Sequence, residues 1–101
     1  MQEAKIILPV LDNNGRDIMH LHADLRGDLR RRYGGLTAMR GEGMYIHRIK
    51  GTMKEDVIIY TAAGEGSLRD LAIFYGKRAG QDSVYFVDFD GIARIEACDG
   101  K

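Results

Sequence analysis

Hydrophobic positions follow two different periods along the chain and divide it into strands and helices. Apolar and β-branched runs predict strands over Ala4–Leu11 and Asp56–Ala62. Apolar residues spaced three and four apart predict an amphipathic helix over Ile18–Tyr33, and a second helix that starts at Ser67 and is ended by Gly80. These four segments are the framework into which the rest of the chain has to fit.

The segment between the first helix and the Asp56–Ala62 strand is rich in glycine. Alternation over Leu36–Arg40 predicts a second strand, and the alternation resumes over Met44–Ile49. Because glycine inside a strand pattern commonly marks a bulge, we expect a kink at Gly41–Gly43. The polar stretch Lys50–Glu55 predicts a turn, so the strands on either side of it would form an antiparallel hairpin.

The C-terminal part of the chain adds two short strands. Ser83–Val87 predicts one strand, an Asp-Gly pair within Asp88–Gly91 predicts a turn, and Ile92–Ala97 can return as a short extra strand. The order β-α-β-β-α-β is typical of a ferredoxin-like α+β fold, in which two helices lie on one face of an antiparallel sheet. We predict a single domain over residues 1–101.

The predicted sheet has apolar residues on both faces, whereas the helices can cover only one. Within Val57–Tyr60 and within Val84–Val87, the residues of both faces are apolar. An uncovered apolar face usually marks an interface, so we expect a homodimer or a partner on that face. The alternative is that Met44–Ile49 or the C-terminal strand folds over it.

Composition and charge narrow the class of protein. The chain has 15 basic and 15 acidic residues, so its net charge gives no global attraction to nucleic acids or membranes. Cys98 is the one cysteine, which excludes an internal disulfide and fits a reducing compartment. We find neither a signal-peptide pattern nor a membrane span and expect a cytoplasmic protein that makes no membrane contact.

Motifs for catalysis and for cofactor or metal binding are not recognisable. The chain has no Gly-x-Ser-x-Gly nucleophile elbow and no phosphate-binding loop with its lysine. His20 and His22 are two positions apart on the predicted helix, and their side chains would point about 200° apart, unlike the i, i+4 pair of a helical metal site. We therefore expect no cofactor and no metal, and interpret the three histidines as solvated or rim residues.

Polar residues around the glycine-rich segment are the best candidates for contact with a ligand or partner. These residues are Arg40, Glu42, Tyr45, His47 and Glu55. An arginine can clamp an anion, and the acids with the tyrosine and histidine could serve a small enzyme or a small-molecule binder. No residue is assigned a catalytic role.

A second set of candidates is a basic patch on the first helix. Arg26, Arg30 and Arg31 could contact phosphates of a nucleic acid. The interleaved acids Asp24 and Asp28 dilute this charge, and cations near a helix C-terminus already complement its dipole. Nucleic-acid binding is therefore kept as a disfavoured alternative.

Four strings in order resemble a loose family of small uncharacterised bacterial, plasmid and phage proteins. The strings are LPVLDNNG, YGGLTAMRGEG, KEDVIIYTA and RAGQDSVYF. The matching residues are Asp12, Asn13, Gly15, Gly34, Gly35, Thr37, Gly41, Gly43, Glu55, Gly80, Gln81 and Val84. Where that family often has an aromatic residue directly after its G-x-G, this chain has Met44 followed by Tyr45. The resemblance implies a compact ferredoxin-like protein of mobile-element origin and implies no activity.

The leading hypothesis from the sequence is a small non-enzymatic binding protein encoded by a phage or mobile element. It would bind a host macromolecule or a ligand through its sheet face or the Arg40–Tyr45 region, and could thereby modulate host defence. An enzyme or small-molecule binder with a site at Arg40–His47 and Glu55 is the alternative, and the Arg26–Arg32 helix carries the nucleic-acid alternative. The sequence leaves the ligand and the oligomer geometry open.

Overall fold

A computed structural model describes residues 2–98 of the chain, with the side chain of His47 excepted. Within this part of the chain, the strands and helices follow the order that the sequence predicts. The elements are β1 (Gln2–Pro9), α1 (Met19–Tyr33), β2 (Thr37–His47), β3 (Gly51–Gly64), α2 (Arg69–Arg78), β4 (Ser83–Val87) and β5 (Ala93–Ala97).

The five strands form one antiparallel sheet in the order β2-β3-β1-β4-β5. The first four positions of this order are those of a ferredoxin-like sheet, and β5 adds one strand beside β4. The predicted α+β fold is therefore confirmed. β1 lies at the centre of the sheet between β3 and β4, and Pro9, which cannot donate a ladder hydrogen bond, stands at the end of the strand.

Both helices pack on the same face of the sheet and bury it. Alternate residues of the central strands, such as Ile6, Leu8 and Tyr60, are almost completely buried beneath the helices. Leucines at helical spacing on α1 and α2 complete this core. The helix residues that contribute most are Leu21, Leu25, Leu29, Leu71, Ala72 and Tyr75.

The opposite face of the sheet carries one row of apolar residues, with a member on every strand. The strand register places Met39, Ile59, Ile7, Tyr85 and Ile95 side by side across β2, β3, β1, β4 and β5. The outer members are exposed, Met39 by 62% and Ile95 by 71%. β5 extends the sheet beside β4 and does not lie across this face, so that alternative expectation is wrong.

β2 differs from its prediction because it contains no bulge. It pairs with β3 without interruption from Thr37 to His47, and the turn that follows is short, so the predicted polar turn at Lys50–Glu55 mostly belongs to β3. Gly41 and Gly43 instead leave space for the side chain of Val57. A Cβ on either glycine would lie 3.5–3.6 Å from a methyl group of Val57, which explains why Val57 is only 6% exposed on the open face.

The start of α2 is capped from a distant part of the chain. The cap is the carboxylate of Asp88, which follows β4. Asp88 accepts hydrogen bonds from the backbone N–H of Leu68 at 2.8 Å and from the Ser67 hydroxyl at 2.7 Å. Backbone N–H groups at a helix start need such acceptors, so Asp88 ties the β4–β5 turn to α2.

Two glycines inside helices allow a matched test of this packing. Alanine favours helix over glycine by about 1 kcal/mol. At Gly76 a Cβ would lie 2.7 Å from Cys98 Sγ and 2.8 Å from Val84 Cβ, whereas at Gly27 it would lie 3.1 Å from Nη1 at the far end of the exposed Arg31 side chain. We expect Gly76→Ala to lower the free energy of unfolding by about 1 kcal/mol or more, and Gly27→Ala to raise it by up to about 1 kcal/mol. Urea denaturation measures both, and equal effects would contradict the packing of α2 on β4.

Candidate functional site

Two concave regions on the surface are large enough for a small molecule. The interhelix cleft, between α1 and α2, encloses about 490 Å³. Its lining residues are Ala23, Asp24, Gly27, Asp28, Arg30, Arg31, Phe74, Tyr75 and Arg78. The loop cleft, at the end of β3, encloses about 400 Å³ and is lined by Gln2, Gly64, Glu65, Gly66, Phe89 and Asp90. Small-molecule sites commonly have volumes in this range.

Helical periodicity explains why charged groups meet in the interhelix cleft. The apolar stripes of α1 and α2 face the sheet, so the residues between the stripes line the groove where the helices meet. On α1, Asp24 and Asp28 are one turn apart and share a side, and Phe74 and Arg78 do the same on α2. Side chains 47 residues apart in the chain are thereby brought into contact.

The centre of the cleft is the pair formed by Tyr75 and Asp28. The Tyr75 hydroxyl donates a short hydrogen bond to Asp28 Oδ2, and Arg31 Nη2 donates to Asp28 Oδ1 at 2.5 Å. The Tyr75 hydrogen bond, followed by that of Arg31, lowers the pKa of Asp28 below its usual value. Burial, followed by the hydrogen bond to Asp28, raises the pKa of Tyr75. Asp28 is therefore a fixed negative charge at neutral pH, and Tyr75 keeps its proton.

An aromatic surface and a cation lie beside this pair. The Phe74 ring is 52% exposed and stands edge-on to Tyr75, with ring centroids 5.1 Å apart. The guanidinium of Arg78 lies 5.5 Å from the centroid of the Phe74 ring, and its Nη2 is 3.2 Å from Asp24 Oδ2. The cleft thus combines a flat apolar surface with both signs of charge, which suits a ligand that carries an aromatic ring and charged groups.

A buried polar network lies on the sheet side of α1. His22 is 0% exposed, so the prediction of solvated histidines is wrong for this residue, although His20 is exposed. His22 Nε2 lies 2.7 Å from the carbonyl oxygen of Pro9, to which it can only donate. Its Nδ1 then accepts from the Tyr60 hydroxyl at 2.6 Å, and Arg26 Nη1 donates to that hydroxyl at 3.3 Å.

A signal for this network was present in the sequence. His22 follows Ile18 by four positions and precedes Leu25 by three, so it falls inside the apolar stripe of α1. A histidine at such a position is buried with its helix face and needs partners for both ring nitrogens. The residues that supply them, Pro9 and Tyr60, lie on β1 and β3, and only the fold brings them to His22.

The residues predicted around the glycine-rich segment are divided between the two faces of the sheet. Arg40 and Glu42 project from β2 on the side of the helices, where Arg40 lies 3.7 Å from the carboxylate of Asp56. Tyr45 and Glu55 lie on the open face, and burial raises the pKa of Glu55. The side chain of His47 lies outside the described residues. The structure therefore does not gather this set into one pocket, and contact with a ligand or partner stays a prediction.

The predicted basic patch is only partly kept together. Arg26 points toward Tyr60, whereas Arg30 and Arg31 both line the interhelix cleft, where Arg31 is paired with Asp28. These three arginines do not present one basic surface, and the structure does not strengthen the nucleic-acid alternative. Over residues 2–98, no group of three or more metal-ligating side chains could hold a metal ion. No helix in that range is both long and apolar enough to span a bilayer.

Comparison with solved structures identifies two phage enzymes with the same fold. A phage SAM lyase in complex with S-methyl-5'-thioadenosine aligns with a TM-score of 0.71 and 14% sequence identity, over 98% of this chain and 91% of that chain. The phage SAM lyase in the apo state aligns with a TM-score of 0.66 and 15% identity, over 98% and 90% of the two chains. No protein-family model and no curated protein matches the chain. At these identities the likeness shows a shared fold.

This comparison overturns the leading hypothesis from the sequence, a non-enzymatic binding protein. The solved structures that share the fold over nearly the whole chain are lyases, so the missing motifs are no argument against catalysis. The prediction was wrong because it rested on the absence of nucleophile elbows and phosphate loops. A site assembled from single side chains on separate elements carries no such motif.

The network of His22 predicts a specific dependence of stability on pH. Burial lowers the pKa of His22 below 6.5, so the folded state keeps it neutral while the unfolded state is protonated as the pH falls. Its contribution is therefore complete above the unfolded pKa and is lost as the pH falls toward the folded pKa, by at most about 1.4 kcal/mol per pH unit. His22→Gln, whose amide can keep both hydrogen bonds but does not titrate, should flatten this decline.

The matched control is His20→Gln, because His20 is exposed. Chemical denaturation at several pH values from about 7.5 to about 5 measures the free energy of unfolding of each variant. The His20 variant should keep the slope of the wild type. An unchanged slope in the His22 variant would show that folding does not lower the pKa of His22.

Proposed function

We propose that this protein is a phage SAM lyase, an enzyme that cleaves S-adenosylmethionine and releases S-methyl-5'-thioadenosine. The observation that carries the proposal is the fold shared with a SAM lyase over 98% of this chain. The chemistry of the interhelix cleft supports it independently, because the aromatic ring, the cations and the carboxylate of the substrate have counterparts there. The phage source of both similar structures also supports a phage origin for this chain.

The adenine ring, the two cations and the carboxylate of the substrate each have a counterpart in the cleft, supplied by three residues. The adenine ring is flat and would stack on the exposed ring of Phe74. The sulfonium and the ammonium group are cations, which the fixed charge of Asp28 would attract. The carboxylate would be drawn to the guanidinium of Arg30, which lines the cleft.

The proposed reaction breaks the bond between the sulfonium sulfur and the carbon chain of the amino acid. The bonding electrons stay on sulfur, which becomes the neutral thioether of S-methyl-5'-thioadenosine. The four-carbon fragment is then completed either by loss of a proton, which gives an alkene, or by ring closure of its own carboxylate, which gives a lactone and releases no proton. Both routes balance without water, oxidant or reductant.

The protonation states of Asp28 and Tyr75 in the cleft favour ring closure. Asp28 accepts two hydrogen bonds and its pKa is lowered, so it is a poor base, and the raised pKa of Tyr75 keeps its hydroxyl protonated. Proton abstraction needs a base with a pKa near the working pH. Ring closure needs only that the substrate is held with its carboxylate near the carbon that loses sulfur, and this positioning is what Arg30, Phe74 and Asp28 would provide.

The activity is tested by incubating the purified protein with S-adenosylmethionine and measuring S-methyl-5'-thioadenosine by liquid chromatography and mass spectrometry. We expect both the thioether and a lactone fragment, the latter together with its hydrolysis product. Failure to form the thioether above the rate in buffer would end the lyase proposal. The alkene in place of the lactone would refute ring closure and leave the lyase proposal intact.

The position of the site is tested with variants of the two clefts. We expect Phe74→Ala to raise KM by about tenfold, because stacking on a base contributes about 1–3 kcal/mol. Asp28→Asn should lower kcat/KM by about tenfold or more, because it removes the charge opposite the sulfonium. Glu65→Gln in the loop cleft is the control and should leave both constants unchanged. Loss of activity in the Glu65 variant alone would move the site to the loop cleft.

A further inference from the structure

One end of the interhelix cleft has no role in the proposed function. This end is formed by Asp24 of α1 and Arg78 of α2, and the Asp24 Oδ2 and Arg78 Nη2 atoms lie 3.2 Å apart. Because Asp24 pairs with Arg78 while Asp28 pairs with Tyr75, the two helices run antiparallel along the groove. The Asp24–Arg78 ion pair therefore spans the cleft one helical turn away from the pair of Asp28 and Tyr75.

This ion pair can exchange its partners with a ligand. The Asp24 side chain is 54% exposed and that of Arg78 is 39% exposed. Ion pairs with such exposure contribute little to stability, because water solvates both charges when they separate. The Arg78 guanidinium also lies 5.5 Å from the centroid of the Phe74 ring and 5.7 Å from that of Tyr75. It can therefore leave Asp24 and stay in the cleft, over the aromatic rings.

The two anions of α1 have a spacing that suits the two cations of S-adenosylmethionine. Asp24 and Asp28 are four positions apart on the helix, which places their Cβ atoms about 5–6 Å apart. In the substrate, three carbon atoms separate the sulfonium sulfur from the α-nitrogen, which is a span of similar length. Asp28 can thus contact the sulfonium while Asp24 contacts the ammonium group.

We propose that the Asp24–Arg78 ion pair is the receptor for the amino-acid end of the ligand, and that it selects ligands with both an α-ammonium group and a carboxylate. The ammonium group replaces the guanidinium at Asp24. The released Arg78 then pairs with the carboxylate on the same carbon atom, together with Arg30. One ion pair is exchanged for two, so every charge in the cleft keeps a countercharge. This inference rests on the proposed function, because it places S-adenosylmethionine in the interhelix cleft.

The exchange distinguishes the substrate from the product. S-methyl-5'-thioadenosine has lost the amino-acid end and the charge on sulfur, so it offers nothing that replaces Arg78 at Asp24. After the carbon–sulfur bond is cleaved, the guanidinium returns to Asp24 and the cleft keeps only its contacts with the nucleoside. The substrate is therefore held more tightly than the thioether, which favours release of the product.

Two unreactive probes isolate the contribution of the amino-acid end. S-adenosylhomocysteine carries the ammonium group and the carboxylate, S-methyl-5'-thioadenosine carries neither, and sulfur is a neutral thioether in both. Isothermal titration calorimetry should show that the wild type binds S-adenosylhomocysteine about tenfold or more tightly than S-methyl-5'-thioadenosine. Asp24→Asn and Arg78→Met should each remove most of this preference and leave the affinity for S-methyl-5'-thioadenosine unchanged.

The matched controls are Arg69→Met and Asp70→Asn, two substitutions on α2 outside the cleft. Arg69 is an ion-paired arginine like Arg78, since its Nε lies 3.3 Å from Glu96 Oε1, and Asp70 is an exposed acid. Neither residue lines the interhelix cleft. Both control variants should keep the preference of the wild type, and urea denaturation shows that every variant is folded under the conditions of the titration.

Several outcomes would overturn the receptor. Equal affinity of the wild type for the two probes does so, as does the absence of binding by both. A preference that survives Asp24→Asn and Arg78→Met excludes this ion pair, and an equal loss of affinity for both probes shows that the pair only holds the helices together. The assay of thioether formation gives a separate answer. A protein that shows the preference but forms no thioether from S-adenosylmethionine keeps the receptor and loses the lyase proposal.

Discussion

Burial of one face of the central strand β1 is the constraint on which the rest of the structure depends. Ile6 and Leu8 are fully buried on the side of the helices, so both crossovers must bring their helix to that side. Two helices over one sheet face lie side by side, and the groove between them is the interhelix cleft. The other sheet face receives no helix, and its apolar row remains open. The candidate site and the uncovered surface thus follow from one packing requirement.

The order of elements could be predicted from the sequence because each signal is local. The apolar stripe of α1 and the β-branched run of β3 depend on residues within a few positions of one another, and the topological rules then leave few arrangements. The glycines of β2 were misinterpreted for the same reason. A glycine in a strand can mark a bulge or can leave space for a side chain of the neighbouring strand, and both cases give the same local sequence pattern. Only the packing of Val57 against Gly41 and Gly43 distinguishes them.

The interhelix cleft could not be predicted, because its chemistry depends on contacts between distant parts of the chain. Asp28 looks like a solvated acid in the sequence, and Tyr75 looks like an ordinary member of an apolar stripe. Their hydrogen bond joins α1 to α2 and lowers the pKa of Asp28, while burial, followed by this hydrogen bond, raises the pKa of Tyr75. The polar residues of the glycine-rich segment were predicted to share a site because they are close in sequence. Alternation along β2 instead places them on two faces of the sheet. Closeness in sequence along a strand therefore argues against a shared pocket for neighbouring residues.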